Sequence, residues 1–495
     1  MNTINILEVQ KAAILQAMPK QLALYYGGEW HLPAGGYRPT VNPATQEELA
    51  NAPEANSDDV DAAVHKAHQG FLAWARVPAA EKSAKLREIA RRLRLHADEL
   101  AVLDSANCGN PFKRMQPDAH LAAAQIDYYA GLVHELKGET MPTADGALNY
   151  SVREPLGVVA RIVAYNHPLM FLAGKIAPAL AAGNSVIMKA PDQAPLSALR
   201  FAEIVDGVLP PGVLNILTGG RECGESLVRH PLVKKVALIG AVPTGASILR
   251  IAADKIMPVA LELGGKNPLV ICADADVEKA ILGAISGMNF TWAGQSCGST
   301  SRLFVHESLY ERVIEGICEK LPQLHRCGMP IDPGTTMGCL ISEAQFDKVM
   351  NYIDIAGQEG ARLVAGGKRP ADPALAKGWF VEATVFADVT PQMRIFKEEV
   401  FGPVLSISKW SDEEQLIADI NSVEYGLTAS IYTRELTLAH RLARRIEAGY
   451  IWINTSSAHY IGTSFGGYKK SGMGREEGLE ELLAYTQVKN IHVML

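Results

Sequence analysis

Gly157-Val-Val-Ala-Arg-Ile-Val-Ala-Tyr-Asn-His-Pro168 opens the part of the chain whose reading decides the fold. A short apolar run, Val158–Val163, breaks at a polar turn, and a helical pattern follows from about Pro168 to Ala182. The rhythm repeats. Ser185–Met188 leads into a helix over Pro195–Val208; Val213–Leu217 and Val233–Ile239 lead into a helix over Gly245–Ala253. Short apolar runs alternating with helices at this spacing predict a parallel sheet with crossover helices. Sheets of this kind bind nucleotides at the carboxyl ends of their strands.

Outward from this region the pattern is less regular. Tyr25-Tyr-Gly-Gly-Glu-Trp30 reads as a strand-like patch, and Asp58–Trp74 and Ala79–Leu103 as helices. Around 137–153 the alternation Leu148-Asn-Tyr-Ser-Val-Arg153 suggests a protruding hairpin. A second α/β region starts near Gly264 with a strand over Asn267–Cys272. Asp276 then caps a helix whose apolar face is Val277, Ile281, Ile285, Met288 and Trp292. The tail, Leu483–Leu495, has strand character, and a terminal strand needs a partner.

The 495 residues are too many for one core and suggest two or three domains. A formal charge of −7 gives no electrostatic case for nucleic acid or an anionic membrane. The densest basic cluster, Arg91-Arg92-Leu93-Arg94, reads as the wet face of a helix. Seven cysteines without a C-x-x-C pair indicate neither a disulfide framework nor a metal site. The opening residues resemble an amphipathic helix more than a secretory signal, and no apolar stretch reaches about 20 residues. A cytoplasmic location is expected.

Four elements carry chemistry. Cys297 lies in Ala293-Gly-Gln-Ser-Cys-Gly-Ser299, where a helix runs into small residues that leave the sulfur reachable. A thiol there reads as a nucleophile, provided its surroundings activate it. Glu262 ends a strand over Pro258–Leu261 and precedes Gly264-Gly265; it reads as a general base, or as an acid in a surface turn. Asn166 in Tyr165-Asn-His-Pro168 reads as an oxyanion donor, or as a helix cap. Gly240-Ala-Val-Pro-Thr-Gly245 follows a strand and opens a helix, but Ala246-Ser247 stands where a P-loop needs Lys-Ser/Thr. Gly240 and Gly245 read as a pyrophosphate turn, or as plain loop glycines.

Taken in order, these motifs resemble the aldehyde dehydrogenase superfamily over nearly the whole chain. Asn166-His-Pro168, Lys189-Ala-Pro-Asp192, the Gly240 turn, Glu262-Leu-Gly-Gly-Lys266 and Gly294-Gln-Ser-Cys297 all match. So do Glu398-Glu-Val-Phe-Gly-Pro403, Ser464-Phe-Gly-Gly-Tyr-Lys469 and Ser471-Gly-Met-Gly-Arg475. The resemblance implies a Rossmann-like NAD-binding domain (1–136 and 156–263), a second α/β domain that is catalytic (264–465), and a small β oligomerisation arm with the tail (137–155 and 466–495). It implies that Cys297 attacks an aldehyde, Asn166 holds the oxyanion, and Glu262 activates the water that hydrolyses the resulting thioester. Lys189 and Asp192 are expected at the adenosine ribose, the Gly240 turn at the pyrophosphate, and Glu399 and Phe401 at the nicotinamide. The arm implies a homodimer or homotetramer.

Departures from the family pattern bear on specificity. Position 192 is Asp where members favouring NAD usually carry Glu, so NAD is expected with NADP left open. His167 replaces an aromatic residue that usually lines the aldehyde tunnel. By the resemblance, the tunnel wall comprises His167, Met170, Phe171, Ser296, Tyr460 and Phe465, with His459 close by. No Arg matches a carboxylate-binding position, so a hydrophobic or aromatic aldehyde is expected. His167 and His459 read equally as residues that only bond backbone. Three rivals stand: a Cys–His hydrolase or transferase, a CoA-acylating dehydrogenase, and a non-catalytic member of the fold.

Overall fold

The computed structural model describes residues 6–494. The expected parallel sheet is present and larger than the sequence rhythm alone suggested. Its order is Glu29–His31, Leu24–Tyr26, Leu214–Leu217, Ser185–Lys189, Val158–Ile162, Val233–Ile239, Val259–Glu262 and Gly472–Met473. The central strands are parallel, while the hairpin at one edge and Gly472–Met473 at the other run antiparallel. Ser185–Lys189 is buried at every position, as expected for a strand covered on both faces.

Two expected helices are each split. The pattern over Pro168–Ala182 forms Pro168–Gly174 and Ala177–Ala181. Pro178 has no N–H to bond back to Gly174, and its ring crowds that carbonyl, so the helix cannot run through. The pattern over Ala79–Leu103 breaks at His96 into Ala79–Leu95 and Ala97–Cys108. The break lets Leu86, Ile89 and Leu93 from one piece and Leu100 from the next reach the same core.

The second sheet has the order Arg362–Ala365, Thr384–Ala387, Val404–Trp410, Arg302–His306, Pro268–Ile271, Thr428–Tyr432 and Tyr450–Ile453. Only its first pair is antiparallel. The helix begun at Asp276 ends sooner than its apolar spacing implied. It spans Val277–Gly287, and left-handed Asn289 and Ala293 bracket a short 3-10 turn, Phe290–Trp292. Trp292 therefore leaves the helix's apolar face.

The tail finds its partner within the same chain. Thr486–Met494 pairs antiparallel with Ala147–Pro155, from Thr486 opposite Pro155 to Met494 opposite Ala147, and Thr140–Met141 lies on the far side. Between the tail strand and the second sheet, the segment grouped with the arm in sequence lies against the first sheet. Gly472–Met473 extends it, and Arg161 bonds Glu476 at 2.5 Å, Glu481 at 2.7 Å and the Tyr485 hydroxyl at 2.7 Å. All four side chains are buried.

Removing one member of such a network strands the others. Arg161→Met is expected to destabilise the protein by about 3–5 kcal/mol, measured by denaturant unfolding. A change below about 1 kcal/mol would show that this network does not hold the C-terminal segment.

Candidate active site

The carboxyl ends of three neighbouring strands of the first sheet face the Cys297 cleft and the groove beside it. Asn166 follows Val158–Ile162, Gly240 follows Val233–Ile239, and Glu262 is the last residue of Val259–Glu262. The loop carrying Cys297 is fixed from several sides. Asn267 Nδ2 donates to the carbonyls of Cys297 at 2.7 Å and Ser299 at 3.0 Å, while its Oδ1 accepts from Thr428 N at 3.0 Å. Gln295 bonds the Cys339 carbonyl at 3.2 Å and Ile341 N at 3.1 Å. The Gly264-Gly265 pair is required by close approach. A Cβ on Gly264 would overlap the Glu399 carboxylate, and one on Gly265 would sit 2.5 Å from the Cys297 carbonyl oxygen.

Cys297, Glu262 and Asn166 line one cleft of about 920 Å³. Burial, reinforced by the charge of Glu262, pushes the Cys297 thiol well above its ordinary value; a hydrogen bond from the Gly298 N–H partly offsets this. Burial, reinforced by Glu476, raises Glu262 to about 8. Glu262 Oε1 has no protein hydrogen-bond partner. Thiol and carboxyl thus share a site in which only one negative charge is readily tolerated. Beneath them Lys175 meets Glu476 at 2.8 Å, and Lys175 and Arg161 outweigh burial to hold Glu476 down to about 2. The Asn166 carbonyl accepts from Asn110 Nδ2 at 2.8 Å, and Asn166 Oδ1 is buried with no protein partner.

Most of the expected tunnel residues meet here. His167, Met170, Phe171, Ser296, His459 and Phe465 line the same cleft. Tyr460 does not. It is 67% exposed, because a turn closed by Thr463 N–H and Oγ1 on the Tyr460 carbonyl swings it outward, and Ile461 takes the wall. His167 Nδ1 faces Asp118 Oδ2 at 2.6 Å, and His459 Nδ1 faces Glu477 at 3.6 Å. Trp292 joins the wall, its ring centroid 5.4 Å from that of His167. Sequence reading missed Asp118, Lys175, Glu476 and Trp292. The only signal for Trp292 was the excess of Gly and Asn around 287–294, which ends the helix early.

A separate groove of about 550 Å³ lies over the carboxyl ends of the first sheet. Lys189, Asp192, Gly240, Ala241, Thr244 and Ser247 are among its lining residues. The helix Val242–Lys255 begins there without a side-chain cap, leaving the N–H groups of Val242 and Thr244 free for an anion. Gly245 sits inside that helix against Leu263, where a Cβ would come within 3.0 Å, and does not face the groove. Glu399 accepts from Gly265 N at 2.8 Å, and the Phe401 ring lies edge-on to Tyr165 at 6.0 Å. Arg38, unsuspected from sequence, donates to the Asp192 carbonyl at 3.1 Å and stands 3.8 Å from its carboxylate.

Comparison with known proteins gives a consistent picture. The model of the aldehyde dehydrogenase family matches residues 30–491. The chain is 48% identical over 489 residues to aldehyde dehydrogenase tropH of Talaromyces stipitatus, covering 97% of this chain and 95% of that protein. Among solved structures, an NAD+ complex of aldehyde dehydrogenase from Bacillus cereus superposes with a TM-score of 0.93 at 38% identity, covering 97% of this chain and 98% of that one. Betaine aldehyde dehydrogenase from Staphylococcus aureus, also with NAD+, superposes with a TM-score of 0.95 at 34% identity, covering 98% and 97%. With its fold, its strand-end cleft and its match over nearly the full length, this chain belongs to the aldehyde dehydrogenase family.

Proposed function

We propose that this protein oxidises a hydrophobic or aromatic aldehyde to the carboxylic acid with NAD, through a thioester on Cys297. The observation that carries this reading is the meeting of Cys297, Glu262 and Asn166 in one cleft lined by Met170, Phe171, Trp292 and Phe465. The Cys297 thiol passes its proton toward Glu262 and the sulfur attacks the carbonyl carbon. The Asn166 amide and the Cys297 backbone N–H, which makes no backbone hydrogen bond, hold the oxyanion. NAD supplies the hydride acceptor when bound. Glu262 releases that proton to solvent, and its anion then takes a proton from the water that attacks the thioester carbonyl, the carboxylic acid leaving and the Cys297 sulfur being released and reprotonated.

The groove over the first sheet fits that cofactor. The uncapped helix start and Gly240 suit a pyrophosphate, and Lys189 and Asp192 suit the adenosine ribose. Glu399 and Phe401 would hold the nicotinamide end. NADP stays open, because Arg38 offsets the Asp192 charge that would repel a 2′-phosphate. On this reading 1–136 and 156–263 form the NAD-binding domain and 264–465 the catalytic domain. The segment through Tyr485 packs on the NAD-binding domain, and the arm, 137–155 with the tail strand Thr486–Met494, presents the outer edge of that strand to a second subunit, giving a homodimer or homotetramer. Seven free cysteines suit a reducing cytoplasm, and no helix among the described residues is long and apolar enough to cross a membrane.

The rivals fare worse. A Cys–His hydrolase needs an imidazole bonded to Cys297, but the side chain that meets the thiol is the Glu262 carboxyl, and a hydrolase leaves the groove over the first sheet without a use. A CoA-acylating enzyme has no use for the carboxyl beside the thiol, and an intact Cys297, Glu262 and Asn166 argue against a non-catalytic member.

Cys297→Ala is expected to abolish NADH formation while NAD still quenches tryptophan fluorescence; appreciable turnover would sink the nucleophile assignment. Glu262→Gln should slow steady-state turnover by about 100-fold or more and retain a single-turnover NADH burst. Because Glu262 is raised to about 8 and acts as its anion, the wild-type steady-state rate should climb through about pH 8. A flat profile from pH 6 to 9 would count against it as the base. Asn166→Ala should lower kcat by about 100- to 1000-fold; a loss under about threefold would remove it from the oxyanion site.

A further inference from the structure

Arg114 extends from the helix Phe112–Gly131 at the exposed mouth of the cleft that contains Cys297. Its guanidinium carbon lies 6.0 Å from the Trp292 ring centroid. Among the described residues it has no ion-pair partner, although most arginines of this chain do. Asp118 sits one helical turn away, a spacing that commonly pairs opposite charges. Asp118 instead takes Nδ1 of His167 at 2.6 Å. With Nδ1 so engaged, Nε2 of His167 remains open toward the cleft, and the His167 ring lies 5.4 Å from the same Trp292 and 5.3 Å from Phe171. One indole thus carries an unpaired guanidinium on one side and a positioned imidazole on another.

The cleft is electrically polarised along its depth. Its inner end carries the carboxylate Glu477 beside Glu476, the latter committed to Lys175 and Arg161, while Glu262 holds its proton near neutral pH. Its mouth carries Arg114 and Lys279, the latter 3.8 Å from Asp276. His325 also lines it, and burial, aided by the charge of Arg114, keeps that imidazole below its ordinary value and hence neutral. An anion is repelled from the inner end and attracted at the mouth, whereas a neutral carbonyl can enter. The walls between are aromatic.

We propose that the cleft selects aromatic aldehydes whose ring bears an ionised oxygen substituent remote from the carbonyl. The ring lies against Trp292, the anionic oxygen meets Arg114, and His167 reads the ring's polar edge. A carboxylate and a phenolate share this chemistry. The inference rests on the aldehyde-oxidising reading and narrows its substrate. It assigns Arg114 a role in specificity and none in bond making.

The test measures kcat/KM with NAD for benzaldehyde, 4-carboxybenzaldehyde and 4-hydroxybenzaldehyde, in wild type, Arg114→Gln, Arg114→Lys and His167→Phe. Wild type should prefer the carboxylated ring, or the hydroxylated ring above the pH at which its phenol ionises. Whichever arm shows the preference identifies the anion. Arg114→Gln should shrink the preference over benzaldehyde by about tenfold, chiefly through KM, since an exposed charge contact is partly screened. Arg114→Lys should restore part of it, and added salt should reduce it. His167→Phe should cut the preference for the ionised ring less than Arg114→Gln does. A wild type that prefers benzaldehyde, or an unchanged ratio in Arg114→Gln, would overturn the proposal. Failure to form NADH from any aldehyde would instead overturn aldehyde oxidation itself, and this inference with it.

Discussion

A buried cluster of charges underlies both the fold and the cleft. Arg161, on a central strand, is nearly sealed from solvent and is committed to Glu476, Glu481 and Tyr485. Lys175, from the break between two short helices, joins it at Glu476. Opposite charges this deep must be closely paired or they unfold the protein. The pairing holds the C-terminal segment on the first sheet. It also fixes a carboxylate, Glu476, beneath Glu262, and that fixed charge is one of the reasons Glu262 keeps its proton in the neutral range. Stability and acid–base chemistry therefore share the same side chains.

Above the cluster, geometry is set by contacts that leave no slack. Asn267 spends its whole amide on the backbone of the Cys297 loop and of the neighbouring strand. Glu399 and the Cys297 carbonyl press so close to Gly264 and Gly265 that no side chain fits. A thiol held this rigidly beside a buried carboxyl keeps its proton until a substrate changes its surroundings.

The parallel sheet was legible because its strands are buried on both faces, and apolar runs as short as Ser185–Met188 have few other uses. Cys297, Glu262 and Asn166 stood out at strand ends and glycine-rich turns, but each kept a plainer reading, and it was the family resemblance that grouped them into the cleft they line. Breaks within helices were harder to see, since Pro178 and His96 interrupt patterns whose apolar spacing continues through them. Apart from His167 and His459, the other ionisable residues of the cleft were not legible at all. Arg114 and Asp118 sit on an ordinary helix, and Glu476 and Glu477 in a C-terminal loop. Only the three-dimensional packing of Trp292, displaced from its helix, brings a wall between them. Tyr460 was misjudged for the converse reason: a local turn overrode its place in the motif.

The Gly472–Met473 strand has a further consequence for how the molecule is made. It closes the edge of the first sheet beside Glu262, and Ser471 bonds back to Gly264 across 207 residues of chain. During synthesis the first sheet therefore emerges with Val259–Glu262 as a bare edge and with Arg161 lacking its carboxylates. The whole second sheet must be translated before either is satisfied. Pairings so distant in sequence form late, so the nascent chain carries an open strand and an unpaired cation while the whole second sheet is being made. That interval is when it is most prone to aggregate and most dependent on chaperones.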